Sequence, residues 1–297
     1  MSRALDQASD TRATTAPVSA RRADPSPASH AGWAQWWETW RETLHAEWTK
    51  LRTLPGTIWL VASIAALTLA VGAAATAAVT CPTASCNQDP GKVALTGIDL
   101  GQALAAILAV LVVSGEYSTG MIRVTFAAMP VRGVVLAAKA TLVSGLTLLA
   151  GSVAVLGSLL IARFVMPGHG FTEAHGYAPI SLTDGSVLRA AAGSVLYLAL
   201  IALLSLGIAT LVRESAAAIG FVLGLLYLSP IIAGVVTDPT WHNRIERYAP
   251  MNAGLAIQAT RNLAEMPIGP WEGLGVLAAW TAAALLTGGV VLRMRDA

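Results

Sequence analysis

Between two long apolar runs, residues Ser114 to Lys139 spell SGEYSTGMIRVTFAAMPVRGVVLAAK. Glu116, Tyr117, Arg123, Arg132 and Lys139 gather a carboxylate, a phenol, two guanidiniums and an ammonium in one connection. Gly115, Gly120 and Pro130 break it into pieces. Ile122, Phe126 and Met129 fall at i, i+4 and i+7, the stripe of a short amphipathic helix ended by Pro130. Such groups beside a membrane face make no covalent chemistry by themselves. They offer charge and an apolar ridge to a partner.

Elsewhere reactive groups are sparse. His169, Glu173 and His175 lie close enough in sequence to ligate a metal, but a polar, Gly-rich exposed loop has the same composition, and no metal is expected. Asp99 sits near one end of an apolar run. It marks a pathway through the membrane or snorkels at the interface. Gly91-Lys92 is followed by Val93 and lacks the upstream glycine of a phosphate-binding loop. The zinc-protease motif H-E-x-x-H and the nucleophile elbow G-x-S-x-G do not occur. No catalytic residue and no cofactor of the chain's own are therefore expected, and the chain is read as not an enzyme.

The elements that must position these groups follow from composition. Of 297 residues, 55% are hydrophobic and 12% charged, with a mean hydropathy of +0.62. Soluble domains carry roughly 25% charged residues. The pattern is that of an all-α, polytopic integral membrane protein. A span needs about 20 apolar residues, and six runs qualify: Thr57–Val79, about Ala94–Val113, Val134–Ala162, Ala190–Val212, Ser215–Val236 and Gly273–Leu292. Residues 54–297 are read as the transmembrane domain and 114–139 as its first cytoplasmic loop. A net charge of +2, spread over the flanks, gives no basic patch for nucleic acid.

Residues 1–32 are Ala, Ser, Thr, Pro and Arg without the apolar core of a signal peptide. They are expected to be a disordered, basic cytoplasmic tail, either solvated or in contact with anionic lipid. Residues 33–53 follow as an amphipathic helix. Trp33, Trp36, Trp37, Trp40, Leu44, Trp48 and Leu51 make one stripe, while Glu38, Arg41, Glu42, His45, Thr49, Lys50 and Arg52 lie elsewhere on its surface. Indole favours the headgroup region, so the helix is expected to lie in the interface plane, anchored by its five tryptophans. Between Thr237 and Trp271, residues 253–263 are expected to form a short surface or re-entrant helix capped by Asn252.

With both ends in the cytoplasm, thirteen Lys and Arg residues fall inside and six outside, the sign that the positive-inside rule requires. Cys81 and Cys86 then lie in an oxidising compartment, where they are expected to close a small disulfide loop, two free thiols being the alternative.

The loop motif Gly115-Glu116-Tyr117-Ser118-Thr119-Gly120-Met121-Ile122-Arg123, followed by Pro130-Val131-Arg132-Gly133 and Ala137-Ala138-Lys139, resembles the permease subunit of type-two ATP-binding-cassette exporters, especially an actinobacterial group. Tyr248-Ala249-Pro250-Met251-Asn252-Ala253-Gly254 resembles the segment before that family's last span. The resemblance covers about residues 40 to 295. It implies a plasma-membrane protein with cytoplasmic termini and a dimer of identical or different permeases. ATP and magnesium would be bound by separate ATPase subunits docked on the first cytoplasmic loop. Glu116, Tyr117, Thr119, Gly120, Met121, Ile122, Arg123 and Phe126 would couple the two proteins, unless Glu116 and Arg123 merely pair with each other. The nearly uncharged spans suit a hydrophobic or amphipathic substrate such as a drug, lipid or peptide. The rival readings are a non-transporting membrane anchor or signalling component, or an intramembrane enzyme of envelope metabolism.

Overall fold

The computed structural model describes residues 28–83, 86–128 and 131–294, leaving aside the side chains of 28–36, 126 and 128. The expected tail, residues 1–32, lies outside the described residues up to residue 27. From Ala28 the chain is helical, five residues earlier than the tryptophan stripe suggested. The chain divides into two units, Met1–Glu38 and Thr39–Ala297. The described part of the first is the opening of helix α1, Ala28–Thr53. Apart from the exposure of Trp37, everything below concerns the second.

The protein is all-α, with no strand among the described residues. Six helical segments are long and apolar enough to cross a membrane. They are α2 (Pro55–Ala78), the pair α3 (Pro90–Leu95) and α4 (Ile98–Ser118), α6 (Arg132–Val165), α7 (Gly185–Val212), α8 (Ser215–Val235) and α11 (Pro270–Met294). Short helices fill the connections: α5 (Met121–Ala128), α9 (Pro239–Tyr248) and α10 (Pro250–Leu255). Pro55, Pro90, Pro239, Pro250 and Pro270 each open a helix, where their missing N–H costs nothing.

The second span is longer than its apolar run. It starts at Pro90 and continues through Ser118, so Glu116 and Tyr117 occupy the last turn of α4 rather than a loop. Likewise Arg132 and Lys139 belong to α6. The free connection between these spans shrinks to Thr119–Val131, with α5 inside it.

Helix α7 forms the centre of the bundle, packed by α4, α6 and α11, and α2 closes against α4 and α6. Small residues set these distances, as expected where lipid supplies no hydrophobic drive. A Cβ on Gly97 would stand 1.9 Å from the Thr68 carbonyl oxygen, and one on Gly101 2.1 Å from Thr68 Oγ1. On the other side, a Cβ on Gly288 would meet Thr210 Oγ1 at 2.0 Å. One polar knot crosses the interior: Tyr197 donates to Gln102 Oε1, and Gln102 Nε2 donates to the Asp99 carbonyl at 3.1 Å.

The two ends of the bundle differ. Lys50 of α1 meets Glu116 of α4, and Arg132 of α6 donates to the Leu292 carbonyl at 3.0 Å. Thus α1 after Glu38 and the last turn of α11 share the end that holds α5. At the far end three loops are stitched together. Cys81 and Cys86 form a disulfide with Cα atoms 5.6 Å apart. Tyr177 Oη donates to the Cys86 carbonyl at 2.5 Å, and the Cys81 N–H to that of His169 at 2.8 Å. Asp89 caps α3 through the Gly91 and Lys92 N–H groups and also accepts from the N–H groups of Thr260 and Arg261. His175 spends Nδ1 on the Gly170 carbonyl at 2.7 Å.

The expected helix over 253–263 is instead α10, from Pro250 to Leu255, followed by a short 3₁₀ turn at Ala256–Gln258. Asn252 is not its cap. The helix begins at Pro250, three residues earlier than expected, because that proline is pre-set for the first turn. The Asn252 amide instead accepts from Ser229 Oγ at 3.0 Å.

Candidate functional site

At the α5 end, four charged side chains close a ring. Lys50 Nζ lies 2.8 Å from Glu47 Oε1 and 2.9 Å from Glu116 Oε1. Lys139 Nζ lies 2.6 Å from Glu47 Oε2 and 2.9 Å from Glu116 Oε1. Charges alternate around the ring and sum to zero. Glu47 and Lys139 are almost wholly buried, with side chains 3% and 5% exposed.

Both ammoniums are also hydrogen-bonded. Lys50 spends its third donor on Thr125 Oγ1 of α5 at 3.2 Å. Lys139 donates to Glu47 and to the Val112 carbonyl of α4, the latter at 3.3 Å, with Glu116 beside it as an ion pair. Ions this deep are tolerated only when paired and hydrogen-bonded, and this condition is met for both lysines. Burial pushes the Glu47 carboxyl up, but Lys139 and Lys50 outweigh it and hold it below its ordinary value. Burial pushes Lys50 down, but Glu47 and Glu116 outweigh it and hold the ammonium above its ordinary value. Glu116 keeps one buried oxygen, Oε2, without a partner.

The ring joins four helices. Glu47 and Lys50 come from α1, Glu116 from α4, Lys139 from α6, and Thr125 brings in α5. On α1 the buried residues Thr43, Glu47 and Leu51 recur every four positions, with Lys50 beside them. This is a second face, next to the tryptophan stripe. Trp37 and Trp48 are exposed and Trp40 half-buried. Trp33 and Trp36 have side chains outside the described residues. Lys50, which the sequence placed on the polar surface of α1, turns inward because two carboxylates neutralise it.

A second contact ties the other connection at this end to α4. The Arg213 guanidinium lies over the Tyr117 ring at 5.2 Å, and Ser215 Oγ donates to Ser114 Oγ at 2.8 Å. Arg213 ends α7 in the left-handed conformation, φ 62°, which swings its side chain back over α4. Glu214 then caps α8 through the N–H groups of Ala216 and Ala217, and these bonds hold its carboxyl low.

Of the residues that the motif brings forward, Glu116 faces the ring and pairs with Lys50 and Lys139. Tyr117 packs under Arg213. Thr119 bonds the Gly115 carbonyl at 2.8 Å and is exposed. Gly120 makes the turn into α5 at φ 71°, a conformation costly for other residues. Ile122 is buried in its own chain, 6% exposed, so it is not free for a groove on a partner. Met121, Arg123 and Val124 are exposed, Val124 by 70%. The Phe126 side chain and the whole of Met129 lie outside the described residues.

No protein-family model matches this chain, and no curated protein matches it. The geometry therefore carries the functional reading. It presents a short exposed helix, entered through the Gly120 turn, whose inner face is bonded through Thr125 to a neutral charge ring spanning three larger helices. Sequence reasoning missed Glu47 and the inward turn of Lys50. The available signal was their i, i+3 spacing on the Thr43–Leu51 face, and the fact that the chain has only three lysines, two of them here.

Proposed function

We propose that this chain is the membrane permease subunit of an ATP-binding-cassette exporter, working as one of a pair with ATP hydrolysed by separate subunits. The observation that carries this reading is the link from α5 through Thr125 and Lys50 into the Glu47–Glu116–Lys139 ring. Met121, Arg123 and Val124 form the surface on which an ATPase subunit docks. Displacement of α5 pulls on Lys50, and the ring passes it to α1, α4 and α6 together, because breaking one pair strands a buried charge at a cost of about 3–5 kcal/mol. The bundle thus moves as a body when the ATPases close. A device that only anchored a partner would need no such connection to the spans. The α5 end faces the cytoplasm, in keeping with the excess of Lys and Arg there.

In this reading Glu116 is a transmitter within the permease, and Arg123 is the charge offered to the ATPase. Purification of the tagged chain from its native membranes in mild detergent tests this. An ATPase subunit is expected to co-purify near one to one, and to be lost from an Arg123→Glu, Val124→Asp variant that still folds. Absence of any ATPase from the intact protein under several gentle conditions would overturn the proposal.

A further inference from the structure

We infer that the far end of the bundle holds a binding site for an organic ammonium ion, in the cavity between the start of α4, the proline-bearing half of α8 and α10. The cavity measures about 270 Å³. Asp99, Glu246 and Lys92 line it together with Pro230, Met251 and Gln258. Two carboxylates face one ammonium, so the site carries an unbalanced negative charge.

The carboxylates are poorly occupied by the protein. Among the described residues Asp99 has no hydrogen bond or ion pair through its carboxylate, although it is half-buried. Glu246 has only a long contact, 3.4 Å, from Asn252. A half-buried carboxylate without a partner is partly desolvated at a cost, and a ligand cation offsets that cost.

A second feature points to a ligand independently. Gln258 is 2% exposed and lines the cavity, yet its Nε2 has no hydrogen-bond partner. Buried donors are normally satisfied. Nε2 is closed to solvent as it stands, and an acceptor oxygen of the ligand would satisfy it once the amide turns toward the cavity. Pro230 shapes the wall: it removes an N–H from α8, and the Ser229 hydroxyl, 3.0 Å from both the freed Leu226 carbonyl and Asn252 Oδ1, shares its one proton between them. The fitting ligand has an ammonium group for Asp99 and Glu246, a nearby oxygen for Gln258, and a short apolar body for Pro230 and Met251. A free amine and the headgroup of an aminophospholipid share this chemistry. Counting the ligand as a substrate rests on the exporter reading, but binding is measured on this chain alone, so its failure leaves that reading standing.

The test uses the full chain in nanodiscs of phosphatidylcholine and phosphatidylglycerol. The probes are phenylalaninol, which is cationic, and 3-phenylpropane-1,2-diol, its neutral counterpart. Calorimetry or saturation-transfer NMR reads their affinities. Phenylalaninol should bind about tenfold tighter than the diol, and Asp99→Asn should remove about tenfold, as expected for a hydrogen bond between charged groups. Gln258→Leu should weaken both probes by several-fold, and Lys92→Gln should tighten phenylalaninol alone. Repeating the titration with phosphatidylethanolamine in the disc separates the sources: a lost phenylalaninol signal assigns the site to the headgroup, a retained one to a free amine. Equal affinity for the two probes overturns the proposal. So does unchanged phenylalaninol binding in Asp99→Asn together with Lys92→Gln, each with an unaltered unfolding temperature.

Discussion

Removing Lys139 from the charge ring should destabilise the protein far more than removing a surface lysine. Lys139→Met keeps the length of the side chain but leaves Glu47 and Glu116 sharing one ammonium, that of Lys50. Glu47 then stays buried, 3% exposed, having lost its 2.6 Å partner. Two carboxylates left on one ammonium keep one buried negative charge uncompensated, and a charge of this kind costs about 3–5 kcal/mol. Glu47→Gln alone leaves Lys139 with Glu116 as its one remaining charged partner, at 2.9 Å, and the cluster with one positive charge in excess, and should cost a similar amount. The double variant is neutral again, since Lys50 and Glu116 remain paired at 2.9 Å. Its loss should fall short of the summed singles by at least about 2 kcal/mol, as for residues in direct contact. Mixed-micelle unfolding followed by far-UV circular dichroism gives the three free energies, and hydrogen exchange along α1 shows whether the loosening starts there. Single losses below about 1 kcal/mol that simply add would mean that the pairs behave as exposed ones do, and the reasoning from burial would be refuted.

Other outcomes follow from the same structure. Glu47 is held below its ordinary value of 4.5, so its contribution is complete above that value and is lost as pH falls through the lowered one. Lys50 is held above 10.5, so its contribution is complete below that value and is lost as pH rises through the raised one. Hydrogen exchange of α1 should therefore stay slow across the neutral range and speed up in acid below pH 4.5. Gly101→Leu should cost about 1–3 kcal/mol or more by overpacking against Thr68. Gly145→Ala, with nothing within 4 Å, should be neutral or mildly stabilising, and thermal unfolding compares the two. Gly120→Val should cost about 1–2 kcal/mol at φ 71°. It should lower the amount of co-purifying ATPase while the helix content by circular dichroism is unchanged.

The spans were legible because each is a long apolar run, and a run of that length has one stable answer in lipid. Their ends were less legible, for a physical reason. Glu116 looked like a loop residue because an isolated carboxylate does not enter a span, and only its two lysine partners, from α1 and α6, make its place in α4 tolerable. Lys50 was hidden in the same way. Its helix announces itself through tryptophans, while the face that docks is the Thr43–Glu47–Leu51 row beside them. Pairing across 66 positions, as between Lys50 and Glu116, leaves no mark in local periodicity. Asn252 misled through its capping preference, which Pro250 overrides. Helix α9 was overlooked, although Asp238-Pro239 is a cap followed by a first-turn proline, and Asp238 does accept from Thr240 and Trp241.

Whether α5 receives an ATPase is tested most directly at Val124, the most exposed large hydrophobic side chain described on it. A photo-reactive amino acid placed there in living cells should yield an adduct with a protein that carries a phosphate-binding loop. The same probe at Ile122, which is buried in its own chain, should not. Mass spectrometry of the Val124 adduct identifies the partner. Adducts with lipid alone, or with proteins that lack a phosphate-binding loop, would contradict the coupling role assigned to α5.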